Sequence, residues 1–478
     1  MSDNSRSTKK PTLAVVGGGL SGLGAAAAAV ENGLDVELFE QGRHLGGRAS
    51  AFRDPKTGTP VDRCPHVAMG CCTNFLDFCR RTGVARHWRR FRRLHFLSSE
   101  GQRHDFTPAG WLPAPLHLLP ALLRLGQLRF SQRLSIARAV WLLAREPAGP
   151  FADRETVQTW LRRHAQSQQT VERFWAPVLV SALSERLDRA SLSAAKKVLV
   201  DGFFGSRRAC DLLVPEVPFG EILDRDVAAW IEKRGARLHR RTGVKRIEGH
   251  QRRVTGLLLR DGSRRTPDAV LLAVPWNRVA RLLSEPIRAA VPQIGEAEKL
   301  RPAPITAVHL WFDRPVTRLP HAVLVGRLSQ WVFNRGPQPV STTAGDPPAH
   351  YCQVVISASH ELIGRPRDEL LREVLADLSA VWPAARQAEL LHSRVFTQPS
   401  AVFSPAAGVE RLRPAQDTPI ENLALAGDWT ATGWPATMES AVRSGYLAVE
   451  AVLRRLGDER RLLVPDLACG WLGRRVLG

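Results

Sequence analysis

The pattern of apolar and small residues near the start of the chain predicts a strand, a turn, a helix and a second strand. Thr12 to Val16 is apolar and β-branched, which is typical of a strand buried in a parallel sheet. An alanine-rich helix follows and closes at Asn32-Gly33, and Val36 to Phe39 forms the next apolar run. This order predicts a βαβ unit at the head of an α/β fold.

The turn between the first strand and the helix has glycines in G-x-G-x-x-G spacing. Gly17 allows a tight turn, Gly19 lets the backbone approach a pyrophosphate, and Gly22 lets the helix pack on the strand. Leu20 and Ser21 lie between them, at a helix N-terminus whose N–H groups and dipole attract phosphate. The pattern therefore predicts a dinucleotide site.

The second strand ends at an acid, Glu40, which stands 23 residues after Gly17, where a ribose hydroxyl would need an acceptor. Two other interpretations of this stretch are possible. A basic start before an apolar run also suits a secretory signal, but the glycines and the acid argue against one. A purely structural βαβ unit would not need three glycines at this spacing.

Periodicity along the rest of the chain predicts further helices and strands. Helices are expected in Trp111 to Arg145, Phe174 to Phe204, Phe219 to Gly235 and from Pro435 onward, and strands near Leu238 and in Val244 to Glu248, Val254 to Leu259, Ala269 to Pro275, parts of Ile305 to Val355, and Leu423 to Ala426.

The net charge of the chain is +21, which raises the question of an anionic partner. Arginine supplies 59 of the basic residues and lysine only eight, and no nucleic-acid-binding motif accompanies them, so nucleic acid is not an expected partner. Trp111 to Arg145 has five arginines and no acid. It predicts either two helices packed on the core or an amphipathic lid on an anionic membrane surface. No apolar run is long enough to span a bilayer.

The seven cysteines form no C-x-x-C pair, which indicates a reduced, cytoplasmic setting. Cys64, Cys71, Cys72 and Cys79 cluster near His66, but not at zinc-site spacing, so no metal is expected.

Beyond Glu40 the chain reads E-x-x-R-x-x-G-G-R, with Arg43, Gly46, Gly47 and Arg48 at the defined positions. This resembles the FAD signature of the amine oxidase and phytoene desaturase superfamily. The resemblance implies a second glycine turn, which brings backbone and an arginine against the flavin end of FAD. FAD is therefore expected in preference to NAD.

The stretch A-G-D-W-T-A-T-G-W-P-A-T-M-E-S-A-V-R-S-G near the C-terminus closely resembles the hydroxysqualene dehydroxylases, or squalene-associated FAD-dependent desaturases. The resemblance implies that Pro435 opens a helix pointing at the flavin, with Asp428 beside the ribityl chain or pyrophosphate. No cysteine is near this helix, so FAD is expected to be non-covalent. The residues expected to bind FAD are Gly17, Gly19, Leu20, Ser21, Gly22, Glu40, Gln41, Arg43, Gly46, Gly47, Arg48, Val244, Ala273, Gly427, Asp428, Pro435, Thr437, Met438 and Glu439.

Members of that group carry D-N-G-Q-H where this chain has Asp62, Arg63, Cys64, Pro65 and His66. Asp62 and His66 are the candidate proton donors. His66 as a hydrogen-bonded core residue is the alternative.

The resemblance implies reductive removal of the hydroxyl of hydroxysqualene to give squalene, a hopanoid or sterol precursor, by hydride from reduced flavin. The alternatives are a carotenoid desaturase or isomerase, an amine oxidase, which the scarcity of tyrosines disfavours, and a non-catalytic FAD-holding partner of a prenyl synthase. The expected partners are a long apolar isoprenoid, an anionic membrane surface and an upstream prenyl synthase, with the protein cytoplasmic and peripheral on the inner membrane face.

The implied fold is α/β, a Rossmann-like FAD-binding domain with an inserted α+β substrate domain. The expected segments are a disordered tail 1–10, FAD-binding segments 11–85, 206–285 and 416–460, a helical membrane-facing segment 86–205, a β-rich substrate segment 286–415 and a tail 461–478.

Overall fold

The computed structural model describes residues 10–147, 149–340, 347–470 and 472–473. Nearly all of the predicted disordered tail 1–10 lies outside the described residues. So do residues 341–346 and the end of the segment 461–478.

A five-stranded parallel sheet forms the centre of the molecule. Its strands run in the order Arg237–His239, Asp35–Phe39, Thr12–Val16, Ala269–Leu272 and Leu423–Leu425. Both faces are covered, so the inner strands are buried along most of their length, as their apolar composition predicts. The strands come from three distant parts of the chain, and their carboxyl ends meet at one edge.

Two long helices, Leu20–Glu31 and Met438–Arg455, lie side by side on one face of this sheet. They cross so closely that a Cβ at Gly445 would lie 2.5 Å from the backbone oxygen of Ser21. The other face packs against a three-stranded antiparallel sheet and short helices. These elements are Val244–Gly249, Val254–Leu259, Arg264–Arg265, Trp276–Leu282, Glu285–Ala290 and Gln293–Ala297.

A seven-stranded sheet, called the mixed sheet below, forms the second layer. Its order is Leu390–Phe403, Pro302–Phe312, Ala349–Ser357, Trp331–Gln338, His321–Leu324, Leu94–Leu97 and Arg103–Phe106. Only the pairing between Leu94–Leu97 and His321–Leu324 is parallel. One face is apolar and packs on helix Arg367–Val381.

The remaining elements join the two layers. The short strands are Ala51–Arg53 with Pro60–Asp62, and Ala68–Met69 and Trp88–Phe91 on either side of Leu212–Pro215. The other helices of four residues or more are Thr73–Arg81, Val84–His87, Leu119–Leu123, Phe130–Arg145, Pro150–Arg154, Val157–Arg163, Val171–Trp175 continuing to Leu183, Leu192–Lys196 continuing to Phe204, Phe219–Glu221 continuing to Glu232, and Pro383–Arg386.

Three local predictions are wrong. The segment 86–205 begins with strands, not helices, because residues such as Leu94 to Leu97 are buried on both sides and pair with neighbours. The helix predicted over Phe174 to Phe204 is interrupted at Ser184, whose φ of 53° is left-handed. The C-terminal helix begins at Met438, so Pro435 lies in the preceding loop. Among the described helices, none has the length and apolar character needed to cross a membrane.

Candidate functional site

The first glycine turn lies at the carboxyl edge of the parallel sheet. Gly17 has φ +111°, and a Cβ there would lie 2.6 Å from the backbone oxygen of Ala273. A Cβ at Gly22 would lie 1.9 Å from the oxygen of Gly17. At Gly19, by contrast, a Cβ would meet nothing within 4 Å. Gly17 and Gly22 therefore permit the packing of the turn, whereas Gly19 borders open space.

The helix that starts after this turn has no side-chain cap at its N-terminus. Gly19 is its N-cap and supplies no side-chain hydrogen bond to the first N–H groups. Leu20 and Ser21 are almost fully buried, so the first turn is fixed in place. Unpaired N–H groups of a helix next to open space are the donors that a phosphate requires.

A second glycine turn packs directly on the first. Gly46 and Gly47 have φ of +98° and +57°, and the Gly46 N–H donates to the Gly18 oxygen at 2.8 Å. A Cβ at Gly47 would lie 3.2 Å from the Cα of Gly19. Side chains here would fill the approach to the open space, so the two turns form one continuous backbone surface.

Glu40 organises the loop between these turns. Its two carboxylate oxygens accept hydrogen bonds from the N–H groups of Gly18 at 2.8 Å and Gly42 at 2.7 Å. Gln41 and Arg43 point to solvent. Val244 is buried in the core on the other face of the sheet. Contact of any of these four with a ribose or an adenine stays a prediction.

The C-terminal loop meets the second glycine turn through an ion pair. Arg48 Nη2 donates to Asp428 Oδ1 at 2.5 Å, and Arg48 Nη1 donates to the Ala401 oxygen at 3.0 Å. Asp428 is buried, and the preceding Gly427 N–H donates to Ser444 Oγ at 2.9 Å. The structure thus brings together residues 48 and 428, which the sequence analysis assigned to one site from separate motifs.

Arg413, which the sequence analysis missed, fixes this loop. Its buried guanidinium donates to the backbone oxygens of Asp428, Thr430 and Trp434, at 3.2, 2.7 and 2.8 Å. No local motif marks it, because its partners lie 15 to 21 residues away in an irregular loop.

Two polar residues at the start of the last helix, Thr437 and Glu439, make contacts within the protein, although the sequence predicts that they bind FAD. Thr437 caps the helix, since its Oγ1 accepts from the Ser440 N–H at 3.2 Å. Glu439 is fully buried, and its carboxylate accepts from the N–H groups of Asn74 and Phe75 at 3.1 and 2.8 Å. The Glu439 side chain therefore holds helix Thr73–Arg81, and only its backbone remains at the helix N-terminus with Met438.

The two candidate proton donors lie between the layers, in different environments. Asp62 accepts from the N–H groups of Phe219 and Gly220 at 2.8 and 2.9 Å, and burial raises its pKa to about 6. Burial lowers the pKa of His66 to about 4, so its ring is neutral at pH 7. His66 Nδ1 is buried, and the backbone of Cys64 lies close enough to raise the pKa of the ring in part. Asp62 thus caps a helix, whereas the His66 ring makes no strong side-chain hydrogen bond within the described residues.

Five residues on the face of the mixed sheet opposite helix Arg367–Val381 form what we call the polar wall. They are His309, Trp311, Arg335, Tyr351 and Gln353. His309 Nδ1 lies 2.7 Å from Tyr351 Oη, and Arg335 Nε donates to Gln353 Oε1 at 2.6 Å. Trp311 stacks on Tyr351 with ring centroids 4.5 Å apart.

The polar wall faces the candidate proton donors. The charge of Arg335 influences the pKa values of both Asp62 and His66, and the charge of Arg48 also reaches His66. Arg335 and His66 retain accessible surface, although burial shifts the pKa of both downward. Of the five residues of the polar wall, Arg335 is the one that keeps accessible surface, since the other four side chains are buried.

A sequence signal for the polar wall does exist. Polar residues alternate with apolar ones in buried strands, as His309 and Trp311 do between Val308, Leu310 and Phe312. Period-two alternation in a strand buried on both faces marks the face that meets a ligand or another polar element.

Two surface cavities in the described part of the chain lie away from this edge of the sheet. The two best-defined surface cavities are lined by residues such as Pro11, Asp268 and Asn422, at the amino ends of the parallel strands. Open α/β sheets bind ligands at the carboxyl ends instead. Among the described residues, no group of three or more potential ligands could hold a metal ion.

The carboxyl edge of the parallel sheet carries two glycine turns and a helix N-terminus without a side-chain cap. This combination defines the dinucleotide-binding fold of many oxidoreductases. The sequence profile described as Flavin containing amine oxidoreductase matches residues 20–453, and the chain belongs to that family. It is a flavin-dependent oxidoreductase, and the predicted superfamily and fold class are confirmed.

Relatives and solved structures agree with this assignment. The chain is 25% identical to a 15-cis-phytoene desaturase of Solanum lycopersicum over 94% of this chain and 79% of the relative. It is 26% identical to a hydroxysqualene dehydroxylase of Sinorhizobium fredii over 92% and 97% of the two chains. The structure of putrescine oxidase bound to putrescine matches 93% of this chain and 99% of its own with a TM-score of 0.70 at 16% identity. That identity shows the fold alone.

Proposed function

We propose that the protein binds FAD without a covalent bond and reductively removes the hydroxyl of hydroxysqualene to give squalene. The overall conversion replaces a C–O bond by a C–H bond, consumes a hydride and a proton, and releases water. The observation that carries the proposal is Arg335 of the polar wall, because this half-buried guanidinium keeps accessible surface and would give a long hydrocarbon carrying one oxygen a polar group to meet.

The carboxyl edge of the parallel sheet suits FAD. Gly19 leaves open space beside unpaired helix N–H groups, where the pyrophosphate would lie. Arg48, fixed by Asp428, would face the flavin end. When bound, the reduced flavin supplies the hydride. No cysteine lies in the loop or the helix from Gly427 to Arg455, so nothing there would form a thioether.

The two candidate donors divide the remaining work. Both oxygens of Asp62 accept backbone hydrogen bonds, so Asp62 holds Phe219–Glu221 in place. The His66 ring is neutral at pH 7 and half-buried, and its accessible edge would orient the hydroxyl or a water molecule. A dry site would keep water from the reacting carbon.

Desaturation of a carotenoid precursor is the second candidate, favoured by the phytoene desaturase relative and by a zeta-carotene desaturase of Synechocystis sp. at 26% identity over 95% of this chain. That reaction needs oxidised flavin and a hydrocarbon without oxygen, so the polar wall would have no partner in the substrate.

The direction of electron flow separates the two candidates. Photoreduced protein mixed anaerobically with hydroxysqualene should reoxidise its flavin and yield one squalene per flavin. Oxidised protein mixed with phytoene should show no bleaching. Bleaching by phytoene, together with no response of the reduced protein to hydroxysqualene, would assign the desaturase function instead.

An anionic membrane surface is the proposed partner from which the isoprenoid enters. The exposed apolar residues that support this surface lie between residues 111 and 151 and are Trp111, Leu116, Leu119, Phe130, Leu134, Trp141 and Phe151. Only two other large apolar residues, Ile363 and Leu456, are exposed in the described parts of the chain. The five arginines of Trp111 to Arg145 have no acid among them, which suits anionic lipid. A cytoplasmic position on the inner membrane face and contact with an upstream prenyl synthase belong to the same proposal.

A further inference from the structure

We infer that Arg335 is the residue that binds the oxygen of the substrate and so selects an oxygenated isoprenoid over a hydrocarbon. The inference rests on the proposed function for the identity of the substrate. It goes further by assigning recognition to one side chain that no motif marks.

The hydrogen bonds of Arg335 leave part of its guanidinium unused. Nε donates to Gln353 Oε1 at 2.6 Å, and Nη1 donates to the Pro215 oxygen at 2.5 Å. Within the described part of the chain, Nη2 makes no hydrogen bond. Two donors thus fix the orientation of the fork, and the third nitrogen remains available to a ligand.

Arg335 also lacks a close counterion. No carboxylate of the described residues lies within 4 Å of it, and Asp62, the acid whose charge it feels, already accepts two backbone hydrogen bonds. Burying a charged guanidinium without a counterion costs free energy of folding. An unpaired buried arginine is therefore expected where a bound ligand supplies the missing partner. Burial lowers the pKa of Arg335, yet an arginine remains charged at pH 7.

The position of Arg335 matches the chemistry that a departing hydroxyl needs. Hydrogen bonds from a charged donor strengthen as negative charge grows on the accepting oxygen. His66 is half-buried and feels the charge of Arg335, so the two side chains lie in the same region. A hydroxyl placed at Arg335 Nη2 would accept from the guanidinium. A hydrocarbon would leave that nitrogen without a partner.

Binding to the oxidised holoprotein tests this without turnover, because no hydride is available. Changes in flavin fluorescence would be titrated with hydroxysqualene and with squalene. The wild type should bind hydroxysqualene at least about tenfold more tightly, as expected for a hydrogen bond to a charged group. Arg335→Ala should bind the two equally, and guanidinium ion should restore the preference.

Arg327→Ala is the matched control, since Arg327 is partly buried in the connection between strands His321–Leu324 and Trp331–Gln338 of the same sheet. It donates to the Ser99 oxygen at 2.5 Å and pairs with Asp377 at 3.5 Å. It should keep the wild-type preference. If Arg335→Ala does not retain flavin, Arg335→Lys replaces it and should show a reduced preference, because a point charge replaces the fork.

The inference is overturned if the wild type binds hydroxysqualene and squalene equally, or if an Arg335 variant keeps the full wild-type preference for hydroxysqualene. Failure of the proposed function looks different. In that case the reduced wild type would not convert hydroxysqualene, while an Arg335-dependent preference for the oxygenated ligand could persist and support this inference.

Discussion

At the scale of single residues, the glycines of the first turn have separable roles. In Gly19→Val, the backbone can stay as it is, because φ is −73° and the added carbon enters open space. In Gly22→Val, the Cβ would overlap the Gly17 oxygen.

We therefore expect Gly19→Val to fold but purify without flavin colour, and Gly22→Val to be poorly folded. Circular dichroism and the absorbance near 450 nm would measure both. A yellow Gly19→Val protein would contradict the assignment of the open space to the pyrophosphate.

Buried histidines predict a pH dependence of stability. Burial lowers the pKa of His66, His117, His309 and His321 to about 4. Between about pH 6.5 and 4 the unfolded chain binds protons at these sites and the native protein does not, so the free energy of unfolding falls as pH falls. Asp62, with its pKa raised to about 6, opposes this trend below pH 6, and so do Asp153 and Glu439, whose pKa values burial also raises. The histidines with lowered pKa values outnumber these three groups, since His104, His164 and His392 belong with the four above.

His321→Leu should flatten this dependence. His321 is buried, and neither ring nitrogen has a partner in the described residues, so the change removes a titrating group without breaking a hydrogen bond. Urea denaturation at pH 7 and pH 5 should show a loss of stability that is smaller by roughly 1 kcal/mol per pH unit in the variant. Equal losses in both proteins would show that His321 is not involved.

At the scale of elements, the close crossing of the first and last long helices depends on one glycine. A Cβ at Gly445 would lie 2.5 Å from the Ser21 oxygen and 2.8 Å from the Ala25 nitrogen. Gly445→Ala should therefore lower the free energy of unfolding by about 1 to 3 kcal/mol. In Gly295→Ala, also helical, a Cβ meets nothing within 4 Å, and stability should rise by up to about 1 kcal/mol. Urea denaturation should show that the free energy of unfolding falls in Gly445→Ala and rises in Gly295→Ala.

The exposed apolar surface between residues 111 and 151 makes a second prediction for elements. Replacing Trp111, Phe130 and Phe151 by serine should leave folding intact, because these side chains are 80%, 64% and 69% exposed. Sedimentation with phosphatidylglycerol vesicles should fall at least about tenfold, since each aromatic buries apolar area in lipid.

Ile363→Ser with Leu456→Ser is the control, because both side chains are exposed elsewhere on the molecule. These changes should leave sedimentation unaltered. If vesicle binding does not change with salt, with lipid charge or with the triple substitution, the alternative is favoured, in which Trp111 to Arg145 is a pair of helices packed on the core.

Local sterics explain which elements could be predicted. The glycine spacing specifies Thr12–Val16 and the following helix, because tight turns and close packing exclude side chains within a few residues. The strands Leu94–Leu97 and Arg103–Phe106 were missed because their partners lie far along the chain and tertiary pairing overrides local pattern. The same reason hides Arg413 and Arg335, whose roles exist only after distant segments meet.

At the scale of the whole molecule, the flavin should be released intact on denaturation. Acid precipitation should leave a yellow supernatant whose flavin co-migrates with FAD. FMN in the supernatant would contradict the dinucleotide assignment, and colour that stays in the pellet would contradict non-covalent binding.

The parallel sheet also has a consequence for biosynthesis. Strand Leu423–Leu425 and helix Met438–Arg455 complete a layer that begins at Thr12, so the ribosome must make the chain through Arg455 before the site can close. Until then Ala269–Leu272 has an open edge and the alanine-rich face of Leu20–Glu31 is uncovered. A nascent chain in that condition is a client for chaperones, and supply of the flavin becomes a late step of synthesis.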